Sequence, residues 1–321
     1  MDSRRTDVGF VGLGTMGLPM AINLGRKLPQ GSKLYAYDIS QDALQKLGAA
    51  LPDGRVVACE STSEVINHVD ILITIVPQGS HVRAVFLDKK NGVLVGDLKN
   101  KILIDCSTID TATSTLVASE IRRKESTAFF YDAPVSGGSL GAEKGTLTFM
   151  VGSSLEDPNW TLLEHHLSSM GTSIFPCGAP TMGLVAKLSN NYCSSLIALA
   201  TAEAMNIGMR SGMDPRVLAK IFAASTAQST ICDKWCPVPG VVPTAPSSNG
   251  YKGGFKVQLM TKDLGLAVEA GKMAGAKMFL GELGLTVYTE ASNDPNCRDL
   301  DSRVVFRFLG GNENWDRSFP E

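Results

Sequence analysis

Residues 7–17 read Asp-Val-Gly-Phe-Val-Gly-Leu-Gly-Thr-Met-Gly. A short apolar run, Asp7 to Val11, passes directly into Gly12-Leu13-Gly14-Thr15-Met16-Gly17 and then into the helical sequence Leu18 to Lys27. Strand, glycine-spaced turn and helix in that order form the arrangement in which a backbone wraps a pyrophosphate. Gly12 permits the tight turn, Gly14 lets phosphate oxygens approach the main chain, and Gly17 lets helix and strand pack closely. The free amides at the helix start and its positive dipole end then hold the negative charge, with Leu13, Thr15 and Met16 supplying the backbone between the glycines. Such a motif is weak alone, but a second strand, Lys33 to Tyr37, ends in Asp38. That is about 20 residues beyond the last glycine, where a ribose-binding acid belongs. A carboxylate there accepts hydrogen bonds from both ribose hydroxyls and repels a 2′-phosphate by ~1–4 kcal/mol. Ile39, Ser40 and Gln41 offer no arginine to offset this, so NAD is expected rather than NADP.

Outward from this stretch, β-rich apolar runs alternate with helical ones. The expected strands continue with Val56 to Cys59, Ile71 to Val76, Lys101 to Cys106, Ala128 to Tyr131, Leu147 to Val151 and Ser173 to Pro176. Between them lie helical runs at Gln41 to Gly48, Ser61 to His68, Ser80 to Phe86, Thr111 to Arg123 and Leu155 to Ser169. This alternation predicts an α/β, Rossmann-type doubly wound, mainly parallel sheet covered on both faces. Ligands bind beyond the carboxyl ends of such strands. Three segments sit there: Val76-Pro77-Gln78, Asp105-Cys106-Ser107-Thr108, and Asp132-Ala133-Pro134-Val135-Ser136-Gly137-Gly138. Ser136 followed by two glycines exposes backbone amides suited to an anion such as a carboxylate.

From Gly183 to Gly208 there is no intervening Gly or Pro, and the only charges are Lys187 and Glu203. The run predicts one helix about 36 Å long at roughly 1.5 Å per residue, joining the sheet domain (1–180) to an all-α C-terminal domain (181–321). A lone lysine in an otherwise apolar and small-polar helix either snorkels to solvent or is buried. If buried, its ammonium form is penalised and it exchanges a proton near neutral pH. Asp214-Pro215 then starts a helix through Ala224, and Leu259 to Gly271, Leu280 to Ser292 and Asp299 to Leu309 are further helices. Trp235 to Gly254, rich in Pro and Gly, reads as a functional loop at the substrate mouth, with Trp235 and Phe255 as apolar walls. Gly310 to Glu321 reads as frayed.

At 321 residues, 44% of them apolar and with a net charge of −2, the chain is of a size for two globular domains with no basic surplus to attract nucleic acid. The polar residues of the long helix make it a poor membrane span. Seven scattered cysteines without a C-x-x-C pair read as reduced thiols, and no metal site is expected. Met1 to Asp7 leaves no room for a signal or transit peptide before the first strand.

Taken together, strand-GLGTMG, DCSTI, DAPVSGG with GAEKGTL, GLVAKLSNN and LMTKDLGLA, in that order over nearly the whole chain, resemble the β-hydroxyacid dehydrogenase family. Pro237 to Val241 and Tyr251 to Phe255 resemble its members that oxidise 3-hydroxyisobutyrate. The resemblance implies Lys187 as catalytic acid/base and Asn191, one helical turn on, as a substrate contact. It implies Ser136, Gly137 and Gly138 as the grip on the substrate carboxylate, and Val76, Pro77 and Thr108 as the nicotinamide lining. Lys262 would reach the cofactor from the second domain. Read from the residues alone, the alternative for Lys262 is a surface cation paired with Asp263, and for Asn191 a group satisfying backbone at an interdomain seam. His165 and His166 read as a solvated face, and His81 as cofactor lining at most.

The implied activity is NAD-dependent oxidation of 3-hydroxyisobutyrate, or a close 3-hydroxy acid, to the semialdehyde, in valine catabolism. Its partner is a small carboxylate-bearing hydroxy acid, and a homodimer or homotetramer is expected. The alternatives are reduction of tartronate semialdehyde or a related aldehyde acid, and a non-enzymatic NAD-binding module, against which the presence of Lys187 argues. The compartment implied by resemblance is mitochondrial, with the cytoplasm as the alternative.

Overall fold

The computed structural model describes residues 6–52 and 54–317. Two compact units divide the chain, one ending at Lys187 and the other beginning at Leu188. The first opens with β1 (Val8–Val11), α1 (Gly17–Lys27), β2 (Leu34–Tyr37), α2 (Gln41–Ala50), β3 (Val56–Ala58), α3 (Thr62–His68) and β4 (Ile71–Thr74). It continues with α4 (Gly79–Leu87), β5 (Ile102–Asp105), α5 (Thr111–Lys124) and β6 (Phe129–Asp132). These six strands form a wholly parallel sheet in the order β3-β2-β1-β4-β5-β6.

The central strands β1, β4 and β5 are buried on both faces, which is why they read as near-continuous apolar runs. Phe10, Leu34, Ile73 and Ile104 join one core with Met20 and Leu24 of α1. Their neighbours Val11, Leu72 and Leu103 join the opposite core, with Val65, Phe86 and Val117. The expected doubly wound architecture is therefore present. The strand order reverses between β1 and β4, and this switch point opens the crevice at their carboxyl ends.

One expectation is corrected. Leu147 to Val151 and the strand near Ser173 do not extend the main sheet. β7 (Val135–Ser136), β8 (Leu147–Val151) and β9 (Gly171–Pro176) form a separate three-stranded sheet in which β7 pairs antiparallel with β8. α6 (Gly138–Lys144) and α7 (Trp160–Leu167) complete this part. α7 begins later than expected because Pro158 interrupts the run that opens at Leu155.

α8 (Met182–Arg210) is one uninterrupted helix of 29 residues, and the division between the units falls within it. The second unit adds α9 (Pro215–Ala224), α10 (Thr230–Lys234), α11 (Val257–Met273), α12 (Phe279–Asn293) and α13 (Val305–Phe308). Asp214 caps α9 and Pro215 occupies its first turn, as read from the sequence. No strand is assigned in this unit among the described residues.

The Pro- and Gly-rich loop from Trp235 to Gly254 is packed onto the unit, with Val238 and Tyr251 fully buried and Tyr251 Oη donating to Pro237 O at 2.9 Å. One expectation fails here. The tail is not frayed as far as Arg317, since Trp315 is buried and donates Nε1–H to Pro239 O at 2.7 Å. Ser318 to Glu321 lie outside the described residues, as do Met1 to Arg5, on which the leader reading partly rests. Among the described residues no helix is long and apolar enough to cross a membrane.

Candidate active site

The glycine turn sits at the switch point. Gly12 has φ +93°, and a Cβ there would lie 2.1 Å from Ile75 O; a Cβ on Gly17 would lie 1.9 Å from Gly12 O. Both positions therefore admit only glycine, for the close packing of turn, helix and strand that the spacing implied. Gly14 differs, because a Cβ there meets nothing within 4 Å. The space over it is open, and Thr15 beside it is exposed. Met16, the residue capping α1, makes no side-chain cap hydrogen bond; Leu18 N–H is taken by Gly14 O at 3.0 Å and Pro19 carries no N–H, so it is the turn amides ahead of Leu18 that face an acceptor from outside. Leu13 N–H is spoken for, donating to Asp38 Oδ2 at 2.5 Å, while Asp38 Oδ1 accepts from Ser40 N at 2.7 Å. These bonds fix the carboxylate at the end of β2, beside the turn. Open space over Gly14, the turn amides ahead of Leu18 and a fixed acid fit a dinucleotide.

Along the crevice the ends of β4 and β5 are tied by a buried network. Thr74 Oγ1 and Ser107 Oγ both donate to Asp105 Oδ1, at 2.8 and 2.6 Å, and Ser107 Oγ accepts from Val76 N at 2.9 Å. Asp105 thus sets the path of Val76-Pro77 and of Thr108, all three half-buried or exposed at the strand ends. Sequence alone places Asp105 and Ser107 at a strand end and gives neither a role.

Burial pushes the Asp105 carboxyl up to about 6, the charge of Asp132 on the next strand acts in the same direction, and the bonds from Ser107 and Thr74 oppose it. A folded-state value above the ordinary one gives stability that is complete below about pH 4 and lost as pH rises through about 6. The loss amounts to ~3 kcal/mol at 1.36 kcal/mol per unit. Asp105→Asn, whose Oδ1 retains the same acceptor position, is therefore expected to gain on the native chain by up to ~3 kcal/mol between pH 4 and pH 7. Urea unfolding across that range measures the difference, and a pH-independent gap would refute the assignment.

At the next strand end Ser136 is half-buried, and Gly137 and Gly138 are exposed with φ of +132° and +65°. Asp132, four residues earlier, turns its carboxylate to the start of α8: Oδ1 accepts from Thr181 N at 2.7 Å and Oδ2 from Leu184 N at 2.8 Å. Lys187 follows within the next turn and is 7% exposed, which decides between the two readings of its helix in favour of burial.

In the second unit Asn191 Nδ2 donates to Asp263 Oδ2 at 2.7 Å, and Asp263 Oδ1 lies 2.9 Å from Lys262 Nζ. The pairing weighed for Lys262 is present, and through the buried Asp263 it joins Asn191 to Lys262. Trp235 packs under the Arg303 guanidinium, 5.6 Å from its ring centroid. His81 is exposed on α4. His165 is exposed, but His166 turns inward. Burial, and then the neighbouring His165, hold its imidazole down at about 4. Both line a cavity of about 210 Å³ with Thr6, Asp70 and Asn100. These precede β1, β4 and β5, so the cavity lies at the opposite end of the strands from the glycine turn.

A doubly wound sheet with this turn, acid and crevice defines an oxidoreductase that uses a nicotinamide dinucleotide. Comparison with known proteins gives the family. Residues 7–178 match the NAD binding domain of 6-phosphogluconate dehydrogenase, and residues 181–309 match the NAD-binding domain of NADP-dependent 3-hydroxyisobutyrate dehydrogenase. A probable mitochondrial 3-hydroxyisobutyrate dehydrogenase of Dictyostelium discoideum is 42% identical over 95% of this chain and 91% of its own. The mitochondrial 3-hydroxyisobutyrate dehydrogenase of Mus musculus is 40% identical over 95% and 87%. The solved structure of Mycobacterium tuberculosis 3-hydroxyisobutyrate dehydrogenase with L-serine is 32% identical, with a TM-score of 0.84 over 95% of this chain and 99% of that one. The chain belongs to the β-hydroxyacid dehydrogenase family, alongside its 3-hydroxyisobutyrate dehydrogenases.

Proposed function

We propose that the protein oxidises 3-hydroxyisobutyrate, or a close 3-hydroxy acid, to the semialdehyde with NAD, Lys187 serving as acid/base. The observation that carries this reading is the burial of Lys187, an amine in the first turns of a helix whose start is held by a carboxylate from the sheet. Bound oxidised nicotinamide supplies the hydride acceptor. The neutral amine of Lys187 takes the hydroxyl proton as the carbon it is attached to gives up its hydride, and in the reverse direction the ammonium returns it. Ser136, Gly137 and Gly138 grip the substrate carboxylate. Gly12 to Gly17 hold the pyrophosphate, and Val76, Pro77 and Thr108 line the nicotinamide. Asn191 and Lys262 are the second unit's substrate and cofactor contacts, held in place by Asp263.

NAD rather than NADP follows from Asp38, whose two oxygens are already aligned by backbone donors. A 2′-phosphate would meet that charge at a cost of ~1–4 kcal/mol. The mitochondrial location rests on the relatives' names, and the place in valine catabolism rests on the 3-hydroxyisobutyrate substrate. L-Serine, also a 3-hydroxy acid and the compound with which the related Mycobacterium tuberculosis enzyme was solved, is the competing substrate to exclude.

The test is a matrix of initial rates for 3-hydroxyisobutyrate, L-serine and glycerate, each with NAD and with NADP. The reading expects kcat/KM for 3-hydroxyisobutyrate with NAD to exceed every other combination by about tenfold or more. Each methylene in an apolar pocket is worth only ~1–3 kcal/mol, so larger gaps among the acids are not required. A preference for NADP would remove the Asp38 argument, and turnover of serine alone would move the substrate.

A further inference from the structure

Asp132 is 3% exposed at the carboxyl end of β6, and its side chain makes no ion pair among those identified in the described residues. It is instead wrapped by backbone. Thr181 N donates to one of its oxygens at 2.7 Å and Leu184 N to the other at 2.8 Å. Its main-chain carbonyl accepts from Gly152 N at 2.7 Å, which fastens the same residue to the end of β8.

The surrounding sequence is shaped to this grip. Thr181 takes φ +68°, in the left-handed region that a threonine rarely adopts. A Cβ on Gly152 would lie 2.0 Å from Asp132 Oδ1, and one on Gly183 would lie 2.8 Å from Oδ2 and 2.2 Å from Met150 O. A strained backbone and two glycines that admit no side chain therefore converge on one carboxylate.

What they hold is the first turn of α8. Orphan amides at a helix start need acceptors, and a negative charge there also meets the positive end of the helix dipole. Lys187 lies three residues beyond Leu184, about 4.5 Å further along the axis. Fixing the amides of Thr181 and Leu184 fixes both the height and the rotation of the turn that carries the lysine.

We propose that Asp132 is a positioning residue for Lys187: its carboxylate clamps the start of α8 to the end of β6 and so sets where the amine is presented. The inference rests on the reading of Lys187 as acid/base. It also explains why the β6 segment contributes at two points, with Ser136 to Gly138 for the substrate and Asp132 for the base that acts on it. Displacement of a reacting group by about 1 Å costs on the order of 10²-fold in rate, so the effect is large even though Asp132 touches no reactant.

The test compares Asp132→Asn, which keeps the shape but turns an acceptor into a donor facing backbone N–H, with Asp132→Glu, which keeps the charge but moves it out by one carbon. Rates are taken per folded molecule, well below each variant's unfolding temperature. For both, kcat for the hydroxy acid is expected to fall about 10- to 100-fold and the acid limb of the kcat/KM pH profile to shift. The dissociation constant for NAD, read by fluorescence titration, stays within about threefold. Glu should retain more activity than Asn.

A purely structural role would lower the unfolding temperature while leaving kcat per folded molecule and the pH profile as they are, and that result overturns the proposal. Failure of both variants to fold, while Lys187→Ala folds, would overturn it too, since the carboxylate would then serve the fold alone. Lys187→Ala also separates the two ideas. If it keeps near-native kcat, the acid/base reading fails and the positioning role with it. If it is inactive while both Asp132 variants match the native enzyme, only the positioning role fails.

Discussion

Lys187→Ala is expected to lower kcat about 10³-fold, the middle of the range that a well-placed acid/base contributes, equivalent to ~4 kcal/mol of transition-state stabilisation. NAD affinity should change little, because the glycine turn and Asp38, the proposed dinucleotide site, are complete without it. In the native enzyme kcat/KM for alcohol oxidation should rise with pH through the titration of this amine, since only the neutral form accepts the hydroxyl proton. The variant should lose that limb. Removing a buried four-carbon stem also leaves a cavity, so Lys187→Met is the control for packing: it should fold at least as well as the alanine variant and be as inactive. Added methylamine should restore part of the alanine variant's rate and none of the methionine variant's. A variant rate within about fivefold of native would end the acid/base reading and leave an NAD-binding protein whose chemistry lies elsewhere.

The parts of this site that can be read from the sequence are those whose signal is local. Gly12, Gly14 and Gly17 announce themselves by spacing, Asp38 by its distance from them, and Lys187 by being the lone cation at the start of an uncharged helix. The central strands β1, β4 and β5 are legible because burial on both faces forces near-continuous Val, Ile, Leu and Phe. β7, only two residues long, carries no period, so the second sheet built on it leaves no signature in the sequence. The helix expected from Asp299 to Leu309 is broken because Asp299 has φ +66° and Asp301, fully buried, accepts from Arg303 N and Phe255 N. α10 is too short, at five residues, to show a helical period, although Ser229 caps it.

Asp105, Asp132 and Asp263 escape a sequence reading for one shared reason. Each acts on a partner brought to it by the fold: Ser107 and Thr74 for the first, the amide of Leu184, 52 residues away, for the second, and Asn191, 72 residues away, for the third. An acid closing an apolar strand is the available hint for the first two. It tells that a carboxylate is buried at the crevice, not which donors it meets.

The glycine turn allows fold and ligand to be tested apart, and Gly12→Ala and Gly14→Ala should give opposite results. At Gly12 the added methyl lies 2.1 Å from Ile75 O, a backbone atom, and φ is +93°. Relief requires β4's extension to move away from β1, breaking the bond from Ile75 N to Val11 O. A loss of ~4 kcal/mol or more is expected, in the range reserved for backbone strain combined with overpacking. That is most of the stability of a chain at the low end of the ordinary range, about 5 kcal/mol. At Gly14 the methyl meets nothing, and φ is not in the left-handed region. Stability should stay within ~0.5 kcal/mol of native. The methyl nevertheless occupies the space through which, on the proposed binding, phosphate oxygens would reach the amides of the glycine turn, so NAD affinity should fall on the order of 10²-fold. Adenosine, which lacks the phosphates, should bind the native and Gly14→Ala proteins alike. Urea unfolding and NAD titration on both variants decide the matter. A Gly14→Ala protein that binds NAD as tightly as native would place the pyrophosphate away from this turn, and the orientation of the nicotinamide toward Thr108 and Val76 would have to be abandoned with it.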